Sequence, residues 1–346
     1  MITLEDIADK TTTSVSVVSD VLRGKGSEKR ISQITQNRIL ETARELNYRP
    51  NRVARSLVIK RTKTIGVLVP DMETQFLPEV VGDIENTARE RGYHVILCLT
   101  EDKFEEEKAC IDTLVERMVD GIIISHAENG DSNIKYLMEL KERRKIPVVF
   151  VNRSPAETEE DFVIVDNMLG AYEAVNYLIK LGHKNIAYLS GPTRISTLQK
   201  RFTGYKKALE EHGLKYDERL IMELPDVKME SGYQSVKQLL EEGHTFTALF
   251  TVNDVVAIGA SKAIRDAGLR IPEDVSIVGF DDIKIVSFLE VPLTTVNQQQ
   301  HTMGSDAANI LIDRIEKKIT DEPQQIVLKP QLVIRKSCAA LKYNTM

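Results

Sequence analysis

Residues 63–99 read KTIGVLVPDMETQFLPEVVGDIENTARERGYHVILCL, and this stretch decides the fold of the larger part of the chain. Two apolar runs, TIGVLV and YHVILCL, flank a segment in which apolar residues recur at helical spacing from about Leu77 to Arg91. A short, continuous apolar run is typical of a strand that is buried on both faces, as in parallel sheets. The stretch therefore predicts a strand, a crossover helix and a second, parallel strand.

The same alternation continues through residues 62–336. Before Asp166, amphipathic helix patterns around residues 104–117 and 133–143 separate further apolar runs, and after Asp166 the pattern starts again. The later strand-like runs are NIAYLSG, RLIMEL, TALFTV and VSIVGF. Two successive doubly wound units predict an α/β body of two lobes, and ligands of such sheets bind beyond the carboxyl ends of the strands.

Residues 1–61 have a different pattern, that of short helices. Three amphipathic segments each follow a hydroxyl side chain that can cap a helix, namely Thr3, Ser14 and Ser32. Only about four residues, 10–13, separate the first segment from the second. Two short helices in such close succession, with a third to bury their apolar faces, predict an all-α helix-turn-helix domain. The alternative is a small helical bundle with a solvated, charged face.

Charge is distributed unevenly along the chain. Hydrophobic residues make up 42% and charged residues 28% of the 346 residues, which is typical of a globular protein. The formal net charge is −6, but residues 1–61 carry +5, so the remainder carries −11. A small basic head on an acidic body favours a DNA-binding module joined to a domain that does not bind DNA. Chance asymmetry is the alternative.

Four basic side chains directly follow the second helix of the head. The second helix of a helix-turn-helix enters the major groove, and cations around it neutralise phosphates. The four are Arg23, Lys25, Lys29 and Arg30. We expect this segment to supply much of the affinity for DNA.

Residues 49–61 are predicted to form a hinge between head and body. Pro50 ends the third helix, and Asn51 can cap a short helix that contains Ala54 and Leu57. Such a helix is too short to be stable alone in water. Leu57 is an apolar residue on a basic segment, which suits a wedge between base steps in the minor groove. Asn51, Ala54 and Leu57 are therefore candidate DNA contacts; the alternative is a linker with Leu57 packed on the body.

Polar residues follow several predicted strands of the body. Carboxylate, amide and guanidinium groups can bridge neighbouring hydroxyls of a ligand, and an aromatic face can stack on its ring. The residues in question are Phe76, Asn152, Arg153, Arg201, Asn253 and Asp281. Together they predict a site for a polar, uncharged, sugar-like molecule, although an Asp or Asn after a strand is more often a turn residue or a helix cap.

The chain resembles the lac repressor/galactose repressor family of transcription regulators in ITLEDIAD, SVSVVSDVL, YRPNRVARSL and KTIGVLVPD. The resemblance extends to about residue 336 through NIAYLSGP, NDVVAIGA and VSIVGFDD. It implies a homodimer that binds a pseudo-palindromic operator and answers to a small effector, a sugar or a sugar phosphate. It also implies that Val15, Ser16 and Asp20 read bases and that Leu57 opens the operator centre.

The resemblance implies domain boundaries as well. They are residues 1–48 for the helix-turn-helix domain, 49–61 for the hinge, 62–336 for the effector-binding and dimerisation body, and 337–346 for a tail. The chain would cross between the lobes near residues 153–166, 289–294 and 320–325. Lobe 1 would then comprise about 62–160 plus 293–321, and lobe 2 about 161–290 plus 322–336.

The family's effector contacts fall on identifiable positions of this sequence. They are Phe76, Asn152, Arg201, Asn253 and Asp281, with Gln298 as a further candidate. Some family members stack the ligand on an aromatic residue near position 227, where this chain has Val227 and where no tryptophan is available anywhere in the sequence.

The head departs from the family pattern in two places. The turn of the family reads Ala-Gly-Val, whereas Thr11, Thr12 and Thr13 stand here, without the glycine that eases a tight turn. Asp20 replaces an arginine, and a carboxylate cannot bind phosphate, although it can accept a hydrogen bond from cytosine N4. We therefore expect an unusual operator sequence.

Other classes of protein are less consistent with the sequence. The body lacks the GxxxxGK[ST], GxSxG and HExxH motifs, and its six histidines and three cysteines lack metal-ligand spacing, so we expect no enzyme, cofactor or metal site. The sequence has no secretory signal at its start and no apolar run of roughly 18 residues, from which we expect a cytoplasmic protein with no membrane partner.

Two alternatives remain within the class of effector-binding proteins. One is a cytoplasmic sugar-binding protein without a DNA function. The other is a regulator that answers to a phosphorylated carrier protein, because LGHKNIAYLSG and VKQLLEEG resemble the catabolite control proteins of the family.

Overall fold

The structure of the protein is a computed structural model that describes residues 2–48, 61–127, 131–155, 158–320 and 322–341. The chain forms two compact units, residues 1–62 and 63–346. The first unit, called the head below, contains the helices α1 (Leu4–Thr11), α2 (Val15–Leu22) and α3 (Gln33–Glu45).

The predicted helix caps of the head are confirmed. The Thr3 hydroxyl accepts a hydrogen bond from the Asp6 N–H at 3.2 Å, and the Asp6 carboxylate accepts one from the Thr3 N–H at 2.7 Å. The Ser14 and Ser32 hydroxyls each accept from the N–H three residues further on. These bonds satisfy donors that a helix start otherwise leaves without a partner.

A shared apolar core stabilises helices that would be too short to form alone. Its buried members are Ile7, Ala8, Val18, Val21, Ile39 and Ala43. The turn that joins α1 to α2 places Thr12 in the left-handed region, with φ 50° and ψ 47°. This conformation costs a β-branched residue about 1–2 kcal/mol. The Thr11 hydroxyl braces the turn by hydrogen bonds to the Ile7 carbonyl at 2.7 Å and to the Thr13 hydroxyl at 2.8 Å.

The second unit is the predicted α/β body. In chain order its elements are β1 (Thr64–Val69), α4 (Phe76–Glu90), β2 (His94–Leu99), α5 (Phe104–Glu116), β3 (Gly121–Ile124), α6 (Asp131–Arg144), β4 (Val148–Val151), β5 (Asp161–Val165), α7 (Asn167–Lys180), β6 (Ile186–Ser190), α8 (Ser196–Glu211), β7 (Ile221–Glu223), α9 (Met229–Glu241), β8 (Ala248–Thr251), α10 (Asp254–Asp266), β9 (Ser276–Val278), β10 (Thr295–Asn297), α11 (Gln300–Glu316), β11 (Gln325–Leu328) and β12 (Gln331–Val333).

The body contains a parallel sheet in each lobe, as the sequence predicts. The sheet of the first lobe has the strand order β11-β5-β4-β3-β1-β2, and that of the second lobe has the order β7-β6-β8-β9. A small antiparallel sheet pairs β10 with β12 beside the second lobe. The inner strands β3, β4, β6 and β8 are buried along their whole length, which explains their continuous apolar sequences. The edge strand β2 has no buried residue and exposes His94, Leu97 and Leu99.

The crossings between the lobes differ in part from the predicted ones. The first crossing lies at Asp166, inside the predicted range, and β5 still belongs to the first lobe. The other two lie between β10 and α11 and between β11 and β12, several residues beyond the predicted 289–294 and 320–325. The reason is pairing: β11 lies parallel to β5 in the first lobe, and β10 is paired with β12.

The predicted tail is also partly wrong, because residues 337–341 pack on the second lobe. Ser337 is buried, and its hydroxyl donates to the Ile277 carbonyl at 2.6 Å. The Ile277 N–H donates to the Ser337 carbonyl at 2.8 Å, and the Leu341 N–H donates to the Leu181 carbonyl at 2.8 Å. These bonds extend the lobe to at least residue 341.

Candidate functional site

The start of α2 carries the residues that the sequence predicts to read bases. Val15 and Ser16 are exposed there, while Asp20 is partly buried one turn further on. Arg23 and Arg30 are exposed beyond the end of α2. The structure therefore brings the predicted base-reading residues and two of the predicted phosphate-binding residues onto one short segment. The hinge candidates Asn51, Ala54 and Leu57 lie outside the described residues.

Arg201 lies at the centre of a buried cluster in the second lobe. Its Nε donates to Asn167 Oδ1 at 2.8 Å, and its Nη1 donates to the Val252 carbonyl at 2.5 Å. The guanidinium stacks on the Phe280 ring at 3.7 Å and lies 3.5 Å from Asp281 Oδ1. Sequence reasoning found Arg201 and Asp281 but missed Asn167, whose only local signal is a polar residue at the first position of α7.

Asp281 joins the cluster to the crossing near β10. Its Oδ1 accepts a hydrogen bond from Gln298 Nε2 at 2.6 Å, and both side chains are buried. Burial raises the pKa of Asp281 to about 6, although the neighbouring Arg201 cation acts to lower it. Burial shifts the pKa of Arg201 in the other direction, downward, and the nearby Asp281 carboxylate acts to raise it. The two charges thus compensate each other in a region shielded from water.

The loop that carries Asp281 is held in an unusual backbone conformation. Asp281 has φ 124° and Asp282 has φ 57°, conformations that cost non-glycine residues about 1–3 kcal/mol each. Arg335 donates to Asp282 Oδ1 at 2.6 Å, and Asn297 donates to Asp282 Oδ2 at 2.9 Å. The Asp281 N–H donates to the Val296 carbonyl at 2.8 Å. These bonds keep the carboxylate of Asp281 directed at Arg201.

Asp254 is a second buried carboxyl group that sequence reasoning did not select. Its Oδ1 accepts from the Thr295 hydroxyl at 2.5 Å, and its Oδ2 accepts from the Ile283 N–H at 2.9 Å. Burial raises its pKa well above the usual value, and the nearby Asp281 carboxylate adds to the shift. Its neighbour Asn253 caps α10 through the Val256 N–H at 2.8 Å. The cap role that we weighed against a ligand role is thus confirmed for Asn253.

The first lobe contributes its own strand-end residues. Phe76 is buried at the start of α4, and Asn152, with φ 62°, directs its amide to the Ser125 hydroxyl at 3.4 Å. Arg153 donates to Asp102 Oδ1 at 2.7 Å. This ion pair restrains Arg153, which the sequence predicts as an effector contact, and compensates its charge.

Contacts between the lobes lie beside these residues. Lys228 of the second lobe is 2.7 Å from Glu73 of the first, and Arg194 of the second is 3.9 Å from Asp102 of the first. Gln300, at the start of α11 in the first lobe, donates to the Asp282 carbonyl of the second at 3.4 Å. The strand ends of both lobes therefore face a common cleft that ion pairs cross.

Three buried polar atoms near the crossing lack a hydrogen-bond partner among the described residues. They are Arg153 Nε, Gln298 Oε1 and Gln300 Oε1. An unpaired buried donor or acceptor costs about 1–3 kcal/mol, so a ligand with hydroxyl groups, which both donate and accept, would be stabilised here.

Two further features concern metal ions and membranes. Within the described ranges, no group of three or more His, Cys, Asp or Glu side chains is placed to hold a metal ion. No helix in the described part of the chain is long and apolar enough to cross a bilayer.

A three-helix head and a two-lobed body with polar strand ends define a DNA-binding transcription regulator with an effector-binding domain. Comparison with known proteins supports this class. Residues 3–51 match the family model described as bacterial regulatory proteins, lacI family, and residues 175–338 match the periplasmic binding protein-like domain.

Three relatives show how far the similarity extends. The transcriptional repressor PurR of Histophilus somni is 34% identical over 99% of this chain and 100% of its own. The lac repressor dimer bound to operator and the anti-inducer ONPF superposes with a TM-score of 0.88 at 28% identity, over 98% of this chain and 99% of that one. A lacI-family regulator from Enterococcus faecium with bound ribose superposes with a TM-score of 0.71 at 30% identity, over 81% of this chain and 100% of that one.

The chain belongs to the lacI family of bacterial regulatory proteins. The predicted family resemblance and the predicted fold class are confirmed.

Proposed function

We propose that the protein is a homodimeric repressor whose affinity for a pseudo-palindromic operator is set by a small, uncharged sugar bound between the lobes. The observation that carries the proposal is the Arg201–Asp281–Gln298 cluster at the strand ends, with unpartnered polar atoms beside it. The 34% identity to PurR repressors over nearly the whole chain supports repression as the mode of action. A protein that binds an operator would act in the cytoplasm.

Charge balance favours a neutral sugar over a sugar phosphate. Asp281 compensates Arg201, and Asp102 lies closer to Arg153, at 2.7 Å, than to the half-exposed Arg194, at 3.9 Å. Neither of the two buried guanidinium groups therefore offers an unmatched positive charge to a phosphate group. Amide groups of Asn152 and Gln298 remain as hydroxyl partners near the strand ends, a common chemistry of sugar sites, whereas the Asn253 amide caps α10. The ribose bound by the regulator from Enterococcus faecium is consistent with this class of ligand.

A thermal-shift screen tests the ligand class. Sugars, sugar phosphates and nucleobases would each be added to the full chain, because a ligand that binds the native state raises the melting temperature by mass action. We expect hits among neutral sugars that disappear in Arg201→Lys, since a lysine cannot reproduce the planar bonds of a guanidinium. Hits confined to phosphorylated compounds or to nucleobases would contradict the proposed class.

The DNA-binding surface is proposed to be Val15, Ser16 and Asp20 for bases, with Arg23 and Arg30 for phosphates. Selection of bound fragments from sheared genomic DNA would reveal the operator. The full chain should enrich fragments with a two-fold symmetric site, with affinity that falls steeply as salt rises. Ser16→Ala should change which base is preferred, whereas Arg23→Ala should weaken all sequences alike. Absence of any enriched fragment would refute the repressor proposal.

The hinge proposal rests on sequence and on family. If Leu57 is a wedge, Leu57→Ala weakens specific binding and spares most nonspecific binding. Equal loss of both would exclude the wedge role.

The homodimer is proposed to form through the body. The edge strand β2 exposes Leu97 and Leu99, and the segment after β9 exposes Ile285 and 74% of Phe288. Exposed apolar side chains that neighbour each other, as Leu97 and Leu99 do on one strand, favour a contact surface, and the superposed lac repressor is a dimer. Leu97→Glu and Phe288→Glu should shift sedimentation from dimer to monomer. Unchanged dimers in both variants would show that another surface pairs the subunits.

Two further expectations stay predictions. Similarity to repressors rather than enzymes supports a protein without catalysis. A phosphorylated carrier protein as an additional trigger rests on the sequence resemblance alone.

A further inference from the structure

A second cavity of the body lies away from the cleft between the lobes. Its volume is about 350 Å³, and it is formed by the residues before β6, by the segment before β7 and by the loop before β8. These segments are at the amino ends of parallel strands, whereas the effector residues follow the carboxyl ends. The cavity and the cleft therefore lie at opposite edges of the same sheet.

The ionisable side chains that line this cavity are mostly basic. They are Lys184, Lys215, Asp217, Arg219 and His244. This sign is notable because residues 62–346 together carry a net charge of −11. A local cluster of cations on an acidic body attracts anions to one place.

The one carboxylate in that set is already matched by its own partner. Arg219 donates to both oxygens of Asp217, from Nε at 2.9 Å and from Nη2 at 2.7 Å. These bonds lower the pKa of Asp217 to about 2, so the carboxylate stays ionised and pairs with a single guanidinium. Arg219 Nη1 makes no hydrogen bond to the described residues.

Lys184 and Lys215 are left without a carboxylate partner. No ion pair joins either ammonium group to a described residue, in contrast to the paired Lys237 and Lys262 of the same lobe. A further cation, Lys206, lies 5.8 Å from the ring centroid of Tyr216, which also lines the cavity. The cavity thus holds more positive charge than the protein compensates.

The remaining lining residues can hold the rest of a small molecule. Asn185 and Thr245 offer an amide and a hydroxyl, while Leu209 and Leu220 offer apolar surface. The volume of the cavity falls within the range of small-molecule sites and exceeds that needed for an inorganic anion alone.

We propose that this cavity is a second ligand site, distinct from the effector cleft, for a small metabolite that carries a phosphate group. A phosphate has several anionic oxygens and can pair with cations from separate loops, whereas a carboxylate has only two oxygens. Lys184 and Lys215 hold the phosphate, and Arg219 adds the hydrogens of its Nη1. The site lies in the lobe that carries Arg201, and its ligand would act as a second effector of the regulator.

Calorimetric titration of the full-length protein tests the site. The probes are glycerol 3-phosphate and inorganic phosphate, with glycerol and chloride at matched ionic strength as controls. Lys184→Ala/Lys215→Ala removes both unpaired cations, and Lys237→Ala removes a paired lysine on α9. Loss of the charge-assisted bonds should raise the dissociation constant for glycerol 3-phosphate at least about tenfold in the double variant and leave it unchanged in Lys237→Ala.

The pattern across probes decides the outcome. Tighter binding of glycerol 3-phosphate than of inorganic phosphate supports the proposed metabolite site. Equal binding of the two would indicate a site for the free anion alone and would overturn the proposal. Binding that survives in the double variant places phosphate elsewhere, for example on the basic head, and overturns the proposal, as does the absence of binding to the wild type. Both surface lysines can be replaced without loss of core contacts, and unchanged melting temperatures of the unliganded variants would verify this.

Discussion

Replacement of Arg201 by methionine should destabilise the body strongly, and to an extent that depends on pH. Both partners of the Arg201–Asp281 pair are almost fully buried, with side-chain exposures of 5% and 6%. Breaking such a pair by removing one partner costs about 3–5 kcal/mol, because the other charge stays buried without compensation. We expect a loss of this size for Arg201→Met near pH 7.5.

The sign of the pH dependence follows from the Asp281 carboxyl group. Its pKa in the folded protein, about 6, lies above the ordinary value of 3.8. A carboxyl group whose pKa is raised in the folded state contributes most to the free energy of unfolding at a pH below its unfolded pKa. This contribution is lost as the pH rises through about 6, and the free energy of unfolding falls by up to ~3 kcal/mol. Without Arg201 the pKa rises further, so the variant loses more as pH rises, and its deficit should be smaller near pH 5.

Urea unfolding followed by circular dichroism measures these free energies. The double variant Arg201→Met/Asp281→Asn carries neither charge, so near pH 7.5 it should be more stable than Arg201→Met alone. Arg270→Met is the matched control, because its partner Asp274 is in an exposed pair of the same lobe. That loss should be small, because solvent screens an exposed pair. Equal deficits of Arg201→Met at both pH values, or strictly additive effects in the double variant, would refute the reasoning.

Three further perturbations have defined outcomes. Thr12→Gly should stabilise the head by up to about 1 kcal/mol, because glycine adopts φ 50° without strain. A lower melting temperature of the head in calorimetry would count against this stabilisation. Glu73→Lys should weaken sugar affinity by about fivefold or less, because exposed ion pairs contribute little. Lys228→Glu in the same chain should restore the affinity, and failure of the double variant to recover would exclude a direct pair. Gly279→Ala would place a methyl group 2.2 Å from Asp254 Oδ1 and should therefore destabilise the body by about 2 kcal/mol or more. An unchanged midpoint of urea unfolding would disprove this loss.

Local chemistry explains which parts of the fold were predictable from sequence. The caps at Thr3, Ser14 and Ser32 depend on residues three positions apart, so the pattern contains all the information that the contact uses. Strand and helix alternation is equally local. By contrast, Ile34 fits the apolar spacing of α3 and yet exposes 82% of its surface, because spacing alone does not say where the neighbouring helices end.

Long-range pairing explains what the sequence could not show. β11 and β12 are separated by two residues and belong to different sheets, and nothing in either short apolar run specifies its partner strand. Asn167 and Asp254 look like helix-start residues, and their roles beside Arg201 and Thr295 arise from segments more than thirty residues away. Asp281 was found because it ends an apolar strand, which is a local signal.

The central claim is that the cleft and the head are energetically coupled, and reciprocity tests it most directly. Operator affinity would be measured by fluorescence anisotropy with and without the sugar identified in the screen, and sugar affinity by calorimetry with and without operator. Linkage requires both affinities to change by the same factor, which we expect to be about 5- to 150-fold in the wild type. In Arg201→Lys, which should no longer bind the sugar, addition of the sugar should leave operator affinity unchanged. A sugar that binds the cleft and leaves operator affinity unchanged would contradict the account.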